Sequence, residues 1–147
     1  MEIEIKEEKK TYRTFVYGSL RRGEFNHNRF RGFPEAFQCE GFIRGAYLKS
    51  LGSYPAIVPT EDQTAIVRGE IYDLPEDLHE IILRMELGAG YEFRPVLVNV
   101  EANKDEAPGA TVPIEASAYF FRLPERISNI QPVEGGDWTR RPQQSDR

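Results

Sequence analysis

The turn Tyr17-Gly18-Ser19-Leu20 is the first stretch of the sequence whose residues could do chemistry. It ends the run Phe15-Val16-Tyr17, whose β-branched and aromatic residues are typical of a strand. A turn directly after a strand leaves backbone N–H groups without ladder partners, and such groups bind anions or an amide oxygen. The turn therefore predicts a site for a carboxylate or an amide, provided that the strand carries it to a cavity. An ordinary strand-to-loop turn is the alternative.

The sequence of the turn narrows the chemistry that it can support. It has neither the further glycines of a dinucleotide-binding loop nor the Gly-Lys-Ser/Thr of a P-loop. Ser19 could be a nucleophile, but neither His27 nor His79 stands in a recognisable hydrolase order with it. We expect both histidines on the solvated sides of short helices.

Glu86 is the second candidate. Leu78, Ile81, Ile82 and Met85 recur at helical spacing and form one apolar stripe. Neighbouring residues on a helix are about 100° apart, so Glu86 borders that stripe. A carboxylate beside apolar walls tends to have a raised pKa, which suits general acid–base catalysis near neutral pH. A solvated glutamate at a helix end is the alternative.

Two glycine-rich turns complete the candidates. Residues 88–94 bend into a strand, and Tyr91 and Arg94 could line a pocket or cap the end of a barrel. Gly135-Gly136-Asp137-Trp138 contains the only tryptophan, which we expect to cover apolar surface near the C-terminus. No histidine pair lies at ligand spacing and the acidic residues are scattered, so we expect no metal and no cofactor.

The composition excludes several classes of partner. The formal net charge is -5, and an acidic surface repels phosphate, so we expect neither nucleic acid nor a membrane as a partner. Cys39 is the only cysteine, which excludes a disulfide framework. The charged N-terminus does not resemble a signal peptide, and no apolar run approaches the roughly 20 residues that span a bilayer. We expect a cytoplasmic protein with a small-molecule ligand and an oligomeric state that the sequence leaves open.

The elements that must position the candidate residues are mostly strands. Strand patterns cover residues 12–17, 38–48, 65–74, 93–100 and 114–123, and prolines make residues 55–59 an edge strand or an ordered loop. Short helices are predicted over residues 26–30 and from Pro75 to Gly88. This pattern indicates an α+β chain, and a mixed or barrel-like sheet is the natural way to bury so many strands. We expect a flexible lead-in over residues 1–11, a single domain over 12–140 and a frayed tail over 141–147.

Together, these motifs resemble the gamma-glutamylcyclotransferase-like family, which includes gamma-glutamylamine cyclotransferases and AIG2-like proteins. The resemblance covers about residues 12–140 and begins in Phe-Val-Tyr-Gly-Ser-Leu-Arg-Arg-Gly-Glu-Phe-Asn-His. The other matching segments are Leu51-Gly52-Ser53-Tyr54-Pro55-Ala56, Val67-Arg68-Gly69-Glu70-Ile71-Tyr72, the helix that reaches Glu86, Tyr91 with Arg94, and Gly136-Asp137-Trp138. Each motif is weakly specific alone, whereas their common order is specific.

The resemblance implies a small mixed β-barrel with short flanking helices and an intramolecular transfer reaction. In that reaction the α-amine of a γ-glutamyl amine or amide attacks its own γ-amide carbonyl, which closes 5-oxoproline and releases the free amine. By the same resemblance, Glu86 is the general acid–base, and backbone N–H groups of Tyr17, Gly18, Ser19 and Leu20 hold the glutamyl moiety. Tyr54 and Tyr91 are implied to bind substrate as well. No cofactor is implied.

Two departures from the family pattern follow Glu86. Leu87 stands where the family usually has glycine, and the spacing from Tyr91 to Arg94 is one residue longer than usual. Phe93 is therefore the alternative to Tyr91 for the family's tyrosine position. A non-catalytic module that binds a small metabolite is the rival function. An interaction protein is a third, and it would require a large exposed apolar patch.

Overall fold

The computed structural model describes residues 10–102 and 109–141. Most of the predicted lead-in, part of the loop between the last two strands, and all of the predicted tail except Arg141 lie outside the described residues. Thr11, which the prediction placed in the lead-in, already belongs to the first strand.

The described part of the chain contains seven strands, one α-helix and four short 3₁₀ helices. The strands are β1 (Thr11–Val16), β2 (Phe37–Arg44), β3 (Ala46–Ser50), β4 (Pro55–Pro59), β5 (Ile66–Pro75), β6 (Tyr91–Glu101) and β7 (Thr111–Phe121). The α-helix is α1 (Glu76–Gly88). The 3₁₀ helices are Pro34–Ala36, Pro124–Ile127, Glu134–Gly136 and Trp138–Arg140.

Five of the strands close into a barrel in the order β1-β5-β2-β6-β7. The neighbours in that order pair antiparallel, and a parallel pairing of Thr14 in β1 with Ser117 in β7 completes the ring. Strands β3 and β4 form a separate antiparallel pair, and β4 packs on β7. The sheet is therefore mixed, and β1 and β7 run in the same direction where they close the barrel.

The second half of strand β1, Thr14 to Val16, is buried on both faces, and successive side chains of a strand point to opposite faces. Phe15 belongs to the apolar cluster that contains Trp138. The next residue, Val16, belongs to a second cluster that contains Leu78 and Ile82 of α1. The turn that follows β1 is therefore carried by a strand packed on both sides, at the boundary between the barrel and the helix.

Helix α1 begins one residue after the predicted start at Pro75 and ends at the predicted Gly88. Pro75 occupies the N-cap position, and Glu76 and Asp77 lie in the first turn, where the positive end of the helix dipole favours acids. After the last turn, Gly90 adopts a φ of 97°, a left-handed conformation that glycine accepts without steric cost. The chain then enters β6 directly.

The buried face of α1 differs from the predicted stripe. The buried residues are Leu78, His79 and Ile82. Ile81 is 54% exposed, so the inner face is turned toward His79 and Glu86. The prediction that His79 faces solvent was wrong: its ring stacks on Tyr12 with centroids 4.0 Å apart, and burial lowers its pKa.

Residues 17–33 form successive turns, and the predicted helix over 26–30 is wrong. The backbone N–H groups of His27 and Arg29 each donate to the carbonyl three residues earlier, and that of Asn26 donates to the Ser19 carbonyl at 3.0 Å. The side chain of Asn26 also donates to the Ser19 hydroxyl at 2.9 Å. A network of local and non-local bonds therefore shapes this loop.

His27 lies under that loop, and the prediction that it faces solvent was also wrong. The ring is buried, with Nδ1 3.0 Å from the Leu20 carbonyl oxygen, and it packs edge-on against Phe33 at 5.9 Å between centroids. His27 thus supports the far side of the candidate turn.

The predicted α+β class with a small mixed barrel is confirmed. A single α-helix and several 3₁₀ turns flank the barrel in the described ranges, where the sequence predicted two short helices. Among residues 10–102 and 109–141, no helix has the length and apolarity needed to cross a membrane.

Candidate active site

A cavity of about 390 Å³ lies between the turn after β1, the start of β4 and the last turns of α1. Its lining includes Glu86 and the six residues that the family resemblance implies to bind substrate: Tyr17, Gly18, Ser19, Leu20, Tyr54 and Tyr91. Residues separated by up to about seventy positions in the chain therefore share one concave surface.

The turn lines the cavity and contains backbone N–H groups that no acceptor in the described ranges uses. The carbonyl of Gly18 accepts from the N–H of Arg21 at 3.0 Å, and the carbonyl of Ser19 accepts from Asn26 at the same distance. Within the described ranges, no acceptor takes a hydrogen bond from the backbone N–H groups of Gly18, Ser19 or Leu20. The carbonyls are thus tied into the protein, while three N–H groups stay open to a ligand.

Gly18 has no room for a side chain. A Cβ built on it would lie 2.5 Å from Cγ of Pro55, which is far inside van der Waals contact. Pro55 is buried at the start of β4, and its carbonyl accepts a hydrogen bond from the Tyr91 hydroxyl at 2.7 Å. The turn, β4 and β6 are therefore packed together at this point, which holds the open N–H groups in place.

Glu86 supplies the carboxylate of the cavity. It lies in the last turn of α1, is half-buried, and lines the same cavity as the turn. Burial raises the pKa of Glu86 from 4.5 to about 7, and no hydrogen bond or neighbouring charge in the described structure offsets that effect. Such a group exchanges a proton near neutral pH, which general acid–base catalysis requires.

Three tyrosines surround Glu86. Burial raises the pKa of Tyr17, Tyr91 and Tyr119 well above the usual range, and the negative charge of Glu86 raises each of them further. All three hydroxyls therefore stay protonated at neutral pH and can act as donors. Tyr17 donates to the Tyr119 carbonyl at 2.6 Å.

Tyr119 was not nominated from the sequence, although it lines the cavity. Its hydroxyl is buried and has no hydrogen-bond partner among the described residues. In the sequence it is one of three consecutive aromatic residues, and only the register of β7 shows which of them faces the cavity. The same strand places Phe120 in the barrel-interior cluster.

Tyr91 and Phe93, the two candidates for the family's tyrosine position, have different surroundings in the structure. Tyr91 is buried and lines the cavity. Phe93 lies outside the lining and packs against Tyr119 and His79, with centroids 4.7 and 5.1 Å apart. Arg94 is exposed and stacks over Phe120 at 5.0 Å. The geometry thus brings Tyr91 to the cavity and leaves Phe93 and Arg94 away from it.

Of the residues at the mouth of the cavity, only Tyr54 was predicted from the sequence to belong to the site. Tyr54 is 50% exposed and lies beside Leu51, whose N–H donates to the Tyr54 carbonyl at 2.8 Å in a tight turn. Arg29 and Met85 line the cavity as well. The local sequence carried no signal for Arg29, because the turns of residues 17–33 decide where it lies.

A buried charge network anchors the far end of the turn. Arg21 pairs with Glu70 at 3.2 Å and with Asp137 at 2.8 Å, and Glu70 also accepts from the N–H of Arg22 at 3.0 Å. Burial alone would raise the pKa of Asp137, but hydrogen bonds from Thr139 and the charge of Arg21 outweigh it and hold that pKa below its usual value. The network joins the turn, β5 and the C-terminal segment.

The predicted covering role of Trp138 agrees with its position in the core cluster, where it is 1% exposed. Across the described ranges, no three His, Cys, Asp or Glu side chains lie close enough to hold a metal ion together. The polar groups of the cavity include backbone N–H groups, hydroxyls, the Asn26 amide, the Arg29 guanidinium and the Glu86 carboxylate, which suit hydrogen bonding and proton transfer to a small polar molecule.

The fold and the cavity together define a small mixed β-barrel protein with one proton-exchanging carboxylate opposite a backbone donor loop. The family model described as "Gamma-glutamyl cyclotransferase, AIG2-like" matches residues 14–140. The chain therefore belongs to that family.

Individual relatives agree with this assignment. A Methanocaldococcus jannaschii protein named "Putative gamma-glutamylcyclotransferase" is 30% identical over 128 residues, covering 84% of this chain and 92% of that protein. A Vibrio cholerae protein of the same name is 28% identical over 127 residues, covering 86% and 95%. The crystal structure of a mouse AIG2-like protein superposes with a TM-score of 0.65 at 23% identity, covering 93% and 99%, which supports the fold.

Proposed function

We propose that the protein is a gamma-glutamylcyclotransferase that converts a γ-glutamyl amine or amide to 5-oxoproline and a free amine, with Glu86 as the general acid–base. The observation that carries the proposal is the half-buried Glu86 carboxylate in one cavity with the open N–H groups of the Gly18–Leu20 turn. Family membership and the names of the relatives support the reaction class.

The open N–H groups of the turn suit the α-carboxylate of the glutamyl moiety. Backbone N–H groups bind a carboxylate without a metal ion. The hydrogen bonds to the carbonyls of Gly18 and Ser19 already order the backbone of the turn, so binding need not order it. When its α-carboxylate is bound at the turn, the substrate brings its α-amine close to its γ-carbonyl only if the glutamyl side chain is folded back. Holding that folded conformation converts the attack into an oriented intramolecular step.

Glu86 would move the proton that the reaction requires. The free α-amine is an ammonium at neutral pH and is not nucleophilic, so Glu86 removes its proton. The amine nitrogen then attacks the γ-carbonyl carbon and forms the ring C–N bond, and the γ-amide C–N bond breaks. Glu86 delivers this proton to the leaving nitrogen, and the attacking nitrogen gives up its second proton to solvent, so that 5-oxoproline and a neutral amine result. A pKa near 7 suits both directions of this transfer.

The tyrosine hydroxyls would supply donors at the reacting carbonyl. Tyr119 carries a buried hydroxyl that no described residue uses, and donors directed at the oxygen that becomes negative in the transition state accelerate acyl transfer. Tyr91 is held by its bond to Pro55 and would shape the wall beside it.

The experiment measures release of 5-oxoproline from a panel of γ-glutamyl amines, amides and peptides by the wild type, Glu86→Gln and Glu80→Gln. Glu80 is exposed on the same helix, so its variant is the matched control. We expect turnover by the wild type and by Glu80→Gln, and a loss of at least a hundredfold in kcat for Glu86→Gln. Equal turnover by the wild type and Glu86→Gln would exclude Glu86 as the acid–base. Binding of γ-glutamyl compounds without any turnover would favour the rival, a non-catalytic binding module.

A further inference from the structure

The mouth of the cavity differs in chemistry from its floor. The floor residues Gly18, Leu20, Tyr91 and Tyr119 are buried, whereas the lining residues Arg29, Leu51, Tyr54 and Ala89 are exposed. If the glutamyl moiety occupies the floor, as the proposed function requires, the group attached to the scissile nitrogen extends to the mouth. The mouth residues then determine which amine can leave.

Arg29 gives this mouth a positive charge. Its Nη1 lies 3.9 Å from the sulfur of Met85, and its guanidinium lies over the Phe30 ring at 5.3 Å. No described acidic residue pairs with it. The guanidinium is thus held by a thioether and a ring, and its donors remain open to an anion.

Glu86 does not neutralise Arg29. Burial is the only cause of the raised pKa of Glu86, whereas a guanidinium close enough to form an ion pair would lower that pKa. No ion pair joins Arg29 to Glu86 among the described residues, so each of the two charged groups can interact with a bound molecule separately.

An apolar surface shares the mouth with Arg29. Phe25, Leu51 and Tyr54 are large apolar side chains that are 63%, 36% and 50% exposed. The rings of Phe25 and Tyr54 meet edge to face with centroids 5.7 Å apart, which fixes the Tyr54 ring at the edge of the cavity. An apolar group on the ligand would bury part of this surface, and that burial favours binding in proportion to its area.

We propose that the mouth is a subsite for a leaving amine that is an α-amino acid with a bulky apolar side chain: Arg29 binds its carboxylate, and Leu51 and Tyr54 bind its side chain. This inference rests on the proposed function. It makes γ-glutamyl derivatives of aromatic or large aliphatic amino acids the favoured substrates. It also disfavours leaving amines that carry a second ammonium group, since the guanidinium of Arg29 would repel that group.

The test compares γ-glutamylphenylalanine with γ-glutamylphenylalaninamide, which differ only in the charge at the mouth. We expect the wild type to favour the carboxylate by about tenfold in kcat/KM, as charge-assisted bonds to a partly exposed guanidinium predict. Arg29→Gln should reduce that preference to about twofold or less, with the larger loss of kcat/KM falling on the carboxylate compound. Arg31→Gln is the matched control, because Arg31 is exposed nearby and does not line the cavity.

A second comparison tests the apolar part. Tyr54→Ala should lower kcat/KM for γ-glutamylphenylalanine about tenfold and for γ-glutamylglycine by less than about twofold. An equal loss for both compounds would overturn the assignment of the side chain to this surface. An equal preference for carboxylate over amide in the wild type and Arg29→Gln would overturn the assignment of Arg29, while release of 5-oxoproline would leave the proposed function standing.

Binding to Glu86→Gln separates the two proposals. Calorimetry with this variant should show tighter binding of γ-glutamylphenylalanine than of its amide, and adding Arg29→Gln should abolish the difference. That result supports the subsite even if no γ-glutamyl compound is turned over. Turnover of other γ-glutamyl amines combined with no binding of γ-glutamylphenylalanine would overturn the subsite alone.

Discussion

Arg21 and Glu70 form an ion pair at 3.2 Å in which both side chains are more than nine-tenths buried. Arg21 follows the Gly18–Leu20 turn directly, and Glu70 lies in β5 of the barrel. Glu70 also accepts a hydrogen bond from Tyr72 at 2.9 Å, and Asp137 meets the other side of the guanidinium. The turn that offers the open N–H groups is therefore fixed to the barrel at its far end by a fully partnered charge.

Arg21→Met should destabilise the protein strongly, because it leaves Glu70 and Asp137 as buried carboxylates without their shared cation. Loss of one partner from a buried ion pair typically costs about 3–5 kcal/mol. Urea unfolding at pH 7 measures the change. Glu40→Gln is the control: Glu40 pairs with Arg22 at 2.9 Å, but both side chains are largely exposed, and such pairs contribute about 1 kcal/mol or less. Equal losses in the two variants would contradict the anchoring role of Arg21.

The sequence predicted most of the individual elements because each depends on local residues, but turns replace the helix that was expected over residues 26–30. The strand-forming runs and the proline-led start of α1 correspond to elements of the structure. The closure of the barrel is different. It depends on pairing Thr14 of β1 with Ser117 of β7, and no local pattern carries a contact between the first and last strands of a sheet.

The same difference between local patterns and long-range packing explains which residues of the candidate site could be predicted. Glu86 could be nominated from the periodicity of α1, but the helix is turned from the predicted stripe, so that Ile81 faces solvent and His79 is buried. Periodicity fixes which residues share a face, whereas packing against Tyr12 and β6 fixes how far the helix is turned. Tyr119 could not be predicted because it stands in the aromatic run Tyr119-Phe120-Phe121, and only strand register shows which of these residues faces the cavity.

Gly18→Ala should impair the turn, because the added methyl group would collide with Pro55. Either the turn or β4 must move, which costs about 1–3 kcal/mol of stability, and on the proposed function kcat/KM should fall at least tenfold. Gly88→Ala is the matched control. A Cβ on Gly88 meets no atom within 4 Å, and alanine favours a helix over glycine by up to about 1 kcal/mol. Unchanged turnover and stability in Gly18→Ala would show that the close approach to Pro55 is unimportant.

Glu86→Gln should stabilise the protein at alkaline pH. The pKa of Glu86 rises from 4.5 in the unfolded chain to about 7 in the folded protein, so the folded state holds a proton that the unfolded state releases between these values. Stability due to this group is therefore present below pH 4.5 and is lost as the pH rises through 7. Glutamine has no such loss. We expect the variant to be more stable by about 1–3 kcal/mol at pH 8 and equal to the wild type at pH 4.

Urea unfolding of both proteins at pH 4, 6 and 8 measures that difference, with Glu80→Gln as the exposed control on the same helix. A stability difference between wild type and Glu86→Gln that does not grow from pH 4 to pH 8 would contradict the buried environment of Glu86. On the proposed function, kcat/KM of the wild type should also rise with pH through about 7, as the carboxylate becomes able to accept the ammonium proton.

Tyr119→Phe separates structure from catalysis more sharply than any other change in the cavity. The hydroxyl of Tyr119 is buried without a partner among the described residues, so its removal breaks no hydrogen bond within them, and the backbone carbonyl that Tyr17 uses is retained. Stability should stay within about 1 kcal/mol of the wild type or increase, because an unsatisfied buried group is removed. On the proposed function, the same hydroxyl donates to the reacting carbonyl beside Glu86, and kcat should fall about tenfold to a hundredfold.

Tyr47→Phe is the control, since the Tyr47 hydroxyl meets Asp62 at the surface at 3.3 Å and its loss should change neither quantity. A marked loss of stability with unchanged kcat would contradict this prediction. It would show that the Tyr119 hydroxyl contributes to folding and does not donate a hydrogen bond to the reacting carbonyl.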